Sequence, residues 1–438
     1  GKMNLLFAHS AMIRVQKITL IVLLLLLASP VYASVWFTIN SESQTISRID
    51  LSTQSVDNSF ALLGQYPDAA PNKMAISNDT VYAVITYENS IQVIDANTGV
   101  TGQYIYIEDS ATPSDILVVG DLAYVSGGGT NRVYKIDLVT GTVIGWLPVG
   151  TMPEGLIIWN DQLFVCNTGF NLSNYTYDPG TLTVINLNNF TITNTVFTGL
   201  NPRSGVVFNN QLHIACSGDY GATPGEISVI DSATLTVCAT IASGGTPASI
   251  SADPNGFIYC GHSWPAGITV YDAATYAIVS SPADNLYLGG NALAVGDGFL
   301  ASVDAGDYIQ ASTLYFYATG VTPMFQSFSI GVGTTDVKML PETVAVADIP
   351  FAPGFNLTIA PNPFNPCTTI RFTADEPGKA FLKVYNTRGQ LVRSSNENIS
   401  RAGTHSIAFN GDNLGSGVYF FQLKLNDKIT TKKAILMK

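Results

Sequence analysis

Ile91-Gln-Val-Ile-Asp-Ala-Asn-Thr-Gly99 is an apolar strand that ends in an aspartate-led turn, and its recurrence decides the fold. The pattern returns as Ile46-Ser-Arg-Ile-Asp50, Val133-Tyr-Lys-Ile-Asp137, Leu182-Thr-Val-Ile-Asn186, Ile227-Ser-Val-Ile-Asp231 and Ile268-Thr-Val-Tyr-Asp272. A degenerate seventh copy is Leu314-Tyr-Phe-Tyr-Ala318, and the spacings are 45, 42, 49, 45, 41 and 46 residues. In turns such as Asp95–Gly99 and Asp137–Gly141 the carboxylate accepts backbone N–H bonds while glycine supplies a positive φ. These acids are therefore read as turn formers, not catalysts.

Outward from each copy lies a second signal, apolar then turn then aromatic-apolar. Asp115-Ile-Leu-Val-Val-Gly-Asp-Leu-Ala-Tyr-Val125 and Glu154-Gly-Leu-Ile-Ile-Trp-Asn-Asp-Gln-Leu-Phe-Val165 show it. Each unit then holds four strands: a, b, c ending in the acid, and d, as in Thr142–Leu147. Four-stranded units at a ~45-residue period predict a β-propeller. The first unit opens at strand b, Val35-Trp-Phe-Thr-Ile39, and a spare strand-a pattern, Asp336-Val-Lys-Met-Leu340, follows the seventh. Pairing those two segments would close a seven-bladed ring and remove both open edges.

Composition agrees. Of 438 residues, 46% are hydrophobic and only 12% charged, which excludes a coiled coil or a charged disordered chain. Residues 34–354 carry 6 basic against 27 acidic side chains, a field that repels phosphate backbones, so nucleic acid is not an expected partner. Residues 355–438 reverse this, with 11 Lys and Arg against 5 Asp and Glu. Near the start, Arg14 and Lys17 precede the apolar run Ile18–Leu27 and then Ala28-Ser-Pro-Val-Tyr-Ala33. That pattern predicts a secretory signal cleaved after Ala33, with initiation at Met12 or Met3. The run is too short for a hydrocarbon core of ~30 Å.

The expected domains are upstream residues and signal at 1–33, the propeller at 34–349, a Pro-rich linker at 350–354 and an immunoglobulin-like sandwich at 355–438. Strands in the last segment are read at Leu357–Ala360, Thr369–Thr373, Ala380–Tyr385, Gln390–Ser394, His405–Phe409, Gly417–Leu425 and Thr430–Met437. Five cysteines give no disulfide framework: Cys166, Cys216, Cys238 and Cys260 fall in apolar strand runs and are read as buried thiols. If any pair forms, Cys216–Cys238 is the candidate.

With Gly244-Gly-Thr-Pro-Ala-Ser-Ile-Ser-Ala-Asp-Pro-Asn-Gly-Phe-Ile-Tyr259 and Ile227–Thr234, the repeats resemble the seven-bladed YVTN-type propellers of exported and surface-layer proteins. That resemblance implies a fold and leaves activity open. The last segment resembles the type A C-terminal sorting domain of the bacterial type IX secretion system. The matching motifs are Pro361-Asn-Pro-Phe-Asn-Pro366, Val384-Tyr-Asn-Thr-Arg-Gly-Gln390, Leu414-Gly-Ser-Gly-Val-Tyr-Phe420 and Lys432-Lys-Ala-Ile-Leu-Met-Lys438. On these motifs Pro361, Asn362, Pro363, Gly389, Gly417, Tyr419 and Lys432 are the sorting residues. The resemblance implies engagement of type IX-like secretion machinery and passage through the periplasm to the medium or the outer surface of a Gram-negative-type bacterium. The alternative for this segment is a plain adhesive sandwich.

Catalytic motifs are missing from the sequence. His213 and His262 stand in no metal-ligand spacing, and there is no Gly-x-Ser-x-Gly elbow. No cofactor is implied, although a divalent metal stays open for an enzymatic reading. The b–c loops, expected on one face, hold Tyr87-Glu88, Ser126–Asn131, Phe170–Asp178, Asp219-Tyr220, Ser263-Trp264 and Asp304–Tyr308. Rings that stack and carboxylates that accept hydroxyl or amine hydrogens suit glycan or peptide recognition. Tyr87, Tyr177, Tyr220, Trp264 and Tyr308 are the candidate ligand-binding residues; the competing reading is that they cover loop bases. The leading expectation is a displayed propeller, not an enzyme, that binds an extracellular glycan or protein. Alternatives are a lactonase-like hydrolase or lyase using acidic channel residues, and a structural component of an envelope layer.

Overall fold

The structure, a computed structural model, describes residues 34–319, 324–340, 357–374, 376–386, 391–425 and 428–438. The expected signal at 1–33, the linker at 350–354 and Gly389 lie outside the described residues. The described residues are nearly all β, with a single short 3-10 turn at Pro282–Asp284. Two compact units are present, Gly1–Thr343 and Val344–Lys438.

In the first unit, seven four-stranded antiparallel sheets succeed one another, giving a propeller-like repeat. Sheet 2 (Pro71–Ser77, Thr80–Ile85, Ser90–Asp95, Thr101–Tyr106) sets the plan of inner strand to outer strand in chain order. Sheets 3 to 7 follow it, with inner strands Pro113–Val119, Pro153–Trp159, Pro202–Phe208, Pro247–Ala252 and Ala292–Gly296. Sheet 1 differs: Val35–Asn40, Thr45–Asp50 and Ser55–Leu62 take their fourth, inner strand from Thr334–Met339. The register is Trp36↔Met339, Phe37↔Lys338, Thr38↔Val337 and Ile39↔Asp336, so the anticipated pairing of the two segments is present. A buried polar knot fixes it: Thr334 donates to Asn40 Oδ1 at 2.7 Å, while Asn40 Nδ2 donates to Ser47 at 2.8 Å.

Packing follows from strand chemistry. Strands with buried residues on both faces, such as Gln162–Asn167, must be covered on both sides. The covering sheets are the two sequence neighbours. Seven apolar clusters result, one between each successive pair, and the last joins sheet 7 (Phe299, Phe316) to sheet 1 (Trp36, Ile49). Trp36 is fully buried there, edge-on to Phe316 at 5.2 Å.

The aspartate turns form as anticipated, and not all of them use glycine. Asp95 Oδ1 accepts from the N–H groups of Asn97 and Thr98, and Asp231 and Asp272 do the same for Ala233 with Thr234 and for Ala274 with Thr275. The residue four places on is left-handed in every such turn, yet glycine fills it only at Gly99 and Gly141. Gln54, Phe190, Leu235 and Tyr276 adopt the same φ of 51 to 59° without it. The side-chain oxygen and the 5→1 bond, as in Leu235 N–H to Asp231 O at 2.9 Å, impose the conformation on any residue.

The second unit pairs Leu357–Ala360, Cys367–Ala374 and Gly403–Asn410 in one sheet. The other sheet orders Leu391–Ile399, Gly378–Asn386, Gly417–Leu425 and Lys428–Leu436. Alternating Ile370, Phe372, Leu382, Val384, Phe421 and Leu423 fill the space between them.

Candidate functional site

Five inner strands begin with proline, at Pro71, Pro113, Pro153, Pro202 and Pro247, a position where a missing N–H costs no ladder bond. The residues just after each proline do two things. Some latch one sheet to the next: Asp336 Oδ2 accepts from Met74 N–H at 3.0 Å and Asp115 Oδ2 from Leu156 N–H at 2.9 Å. Hydroxyls serve elsewhere, with Thr86 donating to the Pro113 carbonyl, Ser217 to that of Pro247, Ser204 to that of Ala248 and Ser249 to that of Gly290.

The others face a cavity of about 520 Å³ lined by the inner strands of all seven sheets. Lys73, Lys338 and Arg203 line it together with Asp115, Glu154 and Asp336. Lys73 Nζ and Lys338 Nζ each stand 3.6 Å from the same Asp336 Oδ1. Arg203 Nε meets Glu154 Oε2 at 2.7 Å, both side chains about one-third exposed. Burial lifts the Asp115 and Glu154 carboxyls above their usual range, against the pull of Lys338 on the first and Arg203 on the second. Burial opposes charge on Lys338 as well, but Asp336 outweighs it and raises the ammonium pKa. Sequence reading missed this convergence; its available signal was charge placed one or two residues after Pro71, Pro113, Pro153 and Pro202.

At the mouth, Tyr220 and Tyr308 line the cavity. Tyr177 sits beside Tyr220, ring centroids 6.5 Å apart, and against Phe170 at 5.0 Å. The long loop that carries Tyr177 is a small hairpin, Phe170–Asn171 paired with Thr176–Tyr177. Burial and then Tyr220 raise the Tyr177 phenol above its usual value, with Arg203 and Glu154 close enough to act on it. Tyr87 and Trp264 are outside the cavity lining and are 70% and 77% exposed. One oxygen of each rim carboxylate is engaged by main-chain N–H groups. Asp219 Oδ1 is taken by Gly221 and Thr223 N–H, Asp304 Oδ1 by Gly306 N–H, and Glu88 Oε1 by Gln65 and Tyr66 N–H. Asp219 and Asp304 brace their own loops, and Glu88 ties its loop to the Gln65–Tyr66 segment.

His213 and His262 are fully buried and bond Tyr271 and Thr269. No cluster of three or more metal-ligating side chains occurs among the described residues. All five cysteines are free thiols, so the Cys216–Cys238 candidate pair is not formed. Cys238 also departs from the buried reading: it lies exposed on the outer strand Val237–Ile241, with Glu226–Asp231 between it and the strand of Cys216.

In the second unit the motif residues gather at the terminal strand. Asn362 Oδ1 accepts from Ile435 N–H at 2.8 Å, and Pro361 O accepts from Thr368 at 2.7 Å. After Pro363, buried Phe364 exchanges main-chain bonds with Ile435 and Met437. Gly417 opens the strand on which Tyr419 donates its phenol to Gly415 O at 2.8 Å, and Lys432 is exposed on the last strand.

Residues 358–437 match the secretion system C-terminal sorting domain. The tail marks a secreted or cell-surface protein that uses the type IX route and engages its machinery. No curated protein matches the chain by sequence. Among solved structures, Kuenenia stuttgartiensis hydrazine synthase is similar, with a TM-score of 0.50 at 15% identity over 61% of this chain and 89% of the other. This is a likeness of fold alone. The computationally designed Ika8 protein aligns at 13% identity with a TM-score of 0.45, covering 84% of this chain and 96% of the design.

Proposed function

We propose that residues 34–349 form a seven-bladed β-propeller of the YVTN type that binds an extracellular glycan or peptide through its loop face. Residues 350–354 link it to an immunoglobulin-like sorting module at 355–438, which delivers it to the outside. The observation that carries this reading is the cluster at the cavity mouth, where Tyr177 and Tyr220 adjoin the Arg203–Glu154 pair above a cavity of about 520 Å³. Rings and a charged pair on rigid strands offer stacking and directional hydrogen bonds in one place. Tyr308 adds a further ring at the lining, and Tyr87 and Trp264 extend the exposed aromatic rim.

Glycan and peptide arrays probed with the secreted chain test the proposal. Specific binding that Tyr177→Ala and Trp264→Ala weaken supports it; no binding, or binding indifferent to both changes, defeats it. A second reading, hydrolysis or elimination in the channel, draws on the raised carboxyls of Asp115 and Glu154. Turnover of lactones or polysaccharides abolished by Glu154→Gln favours it.

A further inference from the structure

Residues 34–354 hold only six basic side chains, Arg48, Lys73, Arg132, Lys135, Arg203 and Lys338, against 27 acids. Three of the six, Lys73, Arg203 and Lys338, line this cavity. A random surface placement would scatter them. Three carboxylates, Asp115, Glu154 and Asp336, share the lining, and Lys73 also donates to the Thr335 carbonyl at 3.0 Å, but the pairing of Lys338 and Arg203 leaves donors over. Two ammonium groups share one oxygen of Asp336 at a loose 3.6 Å, and the other Asp336 oxygen is held by Met74 N–H. Lys338 keeps 44% of its side chain exposed. Arg203 meets Glu154 through Nε, and its Nη groups make no hydrogen bond among the described residues. Low-dielectric walls strengthen the field of such groups inside a cleft, in a body whose outer surface is acidic.

The main chain around the cavity is largely engaged. Met74 and Leu156 N–H go to Asp336 and Asp115. The carbonyls of Asn72, Pro113, Glu154, Pro247, Ala248 and Gly290 accept from side chains of neighbouring strands. Five of the inner strands start with proline, which has no N–H to give. Little remains for an extended peptide to pair with, so recognition falls to cationic side chains and to the phenols Tyr220 and Tyr308 at the lining. Cations for a carboxylate and rings for a pyranose face describe an acidic sugar.

We propose that the channel receives the carboxylate of a uronic acid unit in an extracellular glycan, with Lys338 and Arg203 as the anion-binding residues and Tyr220 and Tyr308 flanking the ring. This rests on the binding function proposed above and names its ligand class. Charge-assisted hydrogen bonds to a carboxylate, bidentate from Arg203, supply the selectivity over neutral sugars.

The experiment is calorimetric titration of the secreted chain with three probes: tetragalacturonate, its methyl ester, and hexaglutamate. Expected is binding of the free acid at least ten-fold tighter than of the ester, weakened by added salt. Lys338→Gln is expected to lower affinity for the free acid about ten-fold while leaving the ester unchanged. The acid-to-ester comparison needs no variant and decides the matter even if Lys338→Gln folds poorly. Equal affinity for acid and ester overturns the carboxylate assignment but leaves the binding function standing. Binding of hexaglutamate alone overturns the glycan assignment in favour of an acidic peptide. Binding of none of the three overturns this inference, and the arrays above then judge the broader function separately.

Discussion

Acidification should destabilise the first unit through two buried histidines, and the size of the effect follows from their surroundings. His213 Nδ1 bonds the Tyr271 hydroxyl at 2.8 Å and His262 Nε2 bonds the Thr269 hydroxyl at 2.8 Å. The opposite nitrogens, His213 Nε2 and His262 Nδ1, are buried with no hydrogen-bond partner among the described residues. A second proton would place an N–H⁺ where nothing accepts it. Burial accordingly pushes both imidazoles from 6.5 down to about 4. Both are depressed in the folded state, so the unfolded chain binds protons first and stability falls as pH drops from about 6.5 toward about 4. With 1.36 kcal/mol per unit, each histidine removes roughly 2 kcal/mol between pH about 7.5 and about 5, or roughly 4 kcal/mol for the pair. Asp115 and Glu154 act in the opposite sense, because their raised carboxyls take protons in the folded state and gain stability on acidification. The histidine contribution is therefore isolated by difference. His213→Phe should cost about 1–3 kcal/mol at pH about 7.5, where the histidine is neutral in both states, by orphaning the Tyr271 hydroxyl. It should also flatten the pH slope by roughly 2 kcal/mol, leaving His262 to supply the rest. Urea unfolding of both proteins at the two pH values is the assay. A variant that loses as much stability on acidification as the parent refutes the reasoning.

Asp336→Asn keeps an acceptor for Met74 N–H and should cost about 1 kcal/mol, whereas Asp336→Ala removes it and should cost about 3 kcal/mol. Equal thermal shifts for the two would show that the latch bond contributes nothing. Gln54→Gly relieves a left-handed φ of 53° at an exposed turn, gaining ~1–2 kcal/mol against an entropy loss of ~0.4–1 kcal/mol. A small rise in melting temperature is expected, and a fall would contradict the strain argument. Deleting residues 355–438 should leave the first unit folded but retained in the periplasm; cell fractionation that finds it on the surface would defeat the sorting role.

Asp95, Asp137, Asp231 and Asp272 were legible as turn acids because a carboxylate and the two N–H groups that follow it are neighbours in sequence. Glycine supplies the positive φ at Gly99 and Gly141 as read, while Leu235 and Tyr276 show that the closed turn fixes the backbone and the residue complies. The tyrosines of the b–c loops were visible as residues, but only the fold separates Tyr220 and Tyr308, at the cavity, from Tyr87 and Trp264, which stand away from it.

Alone, the sequence determined the four-strand repeat and the pairing of Val35–Ile39 with the segment after the last copy. The repeat depends on strand periodicity and on turns a few residues long, which are local, and the pairing on the strand that the first copy lacks and the last has to spare. It also determined the sorting tail, whose motifs are contiguous. Tertiary structure decided the charged channel. Lys73 and Asp336 are 263 positions apart, yet both follow the start of an inner strand, and ring closure sets those starts side by side. Radial strands bring equivalent positions of different repeats to one axis, so the charge they build there depends on which residue each repeat happens to carry. No single repeat contains that information.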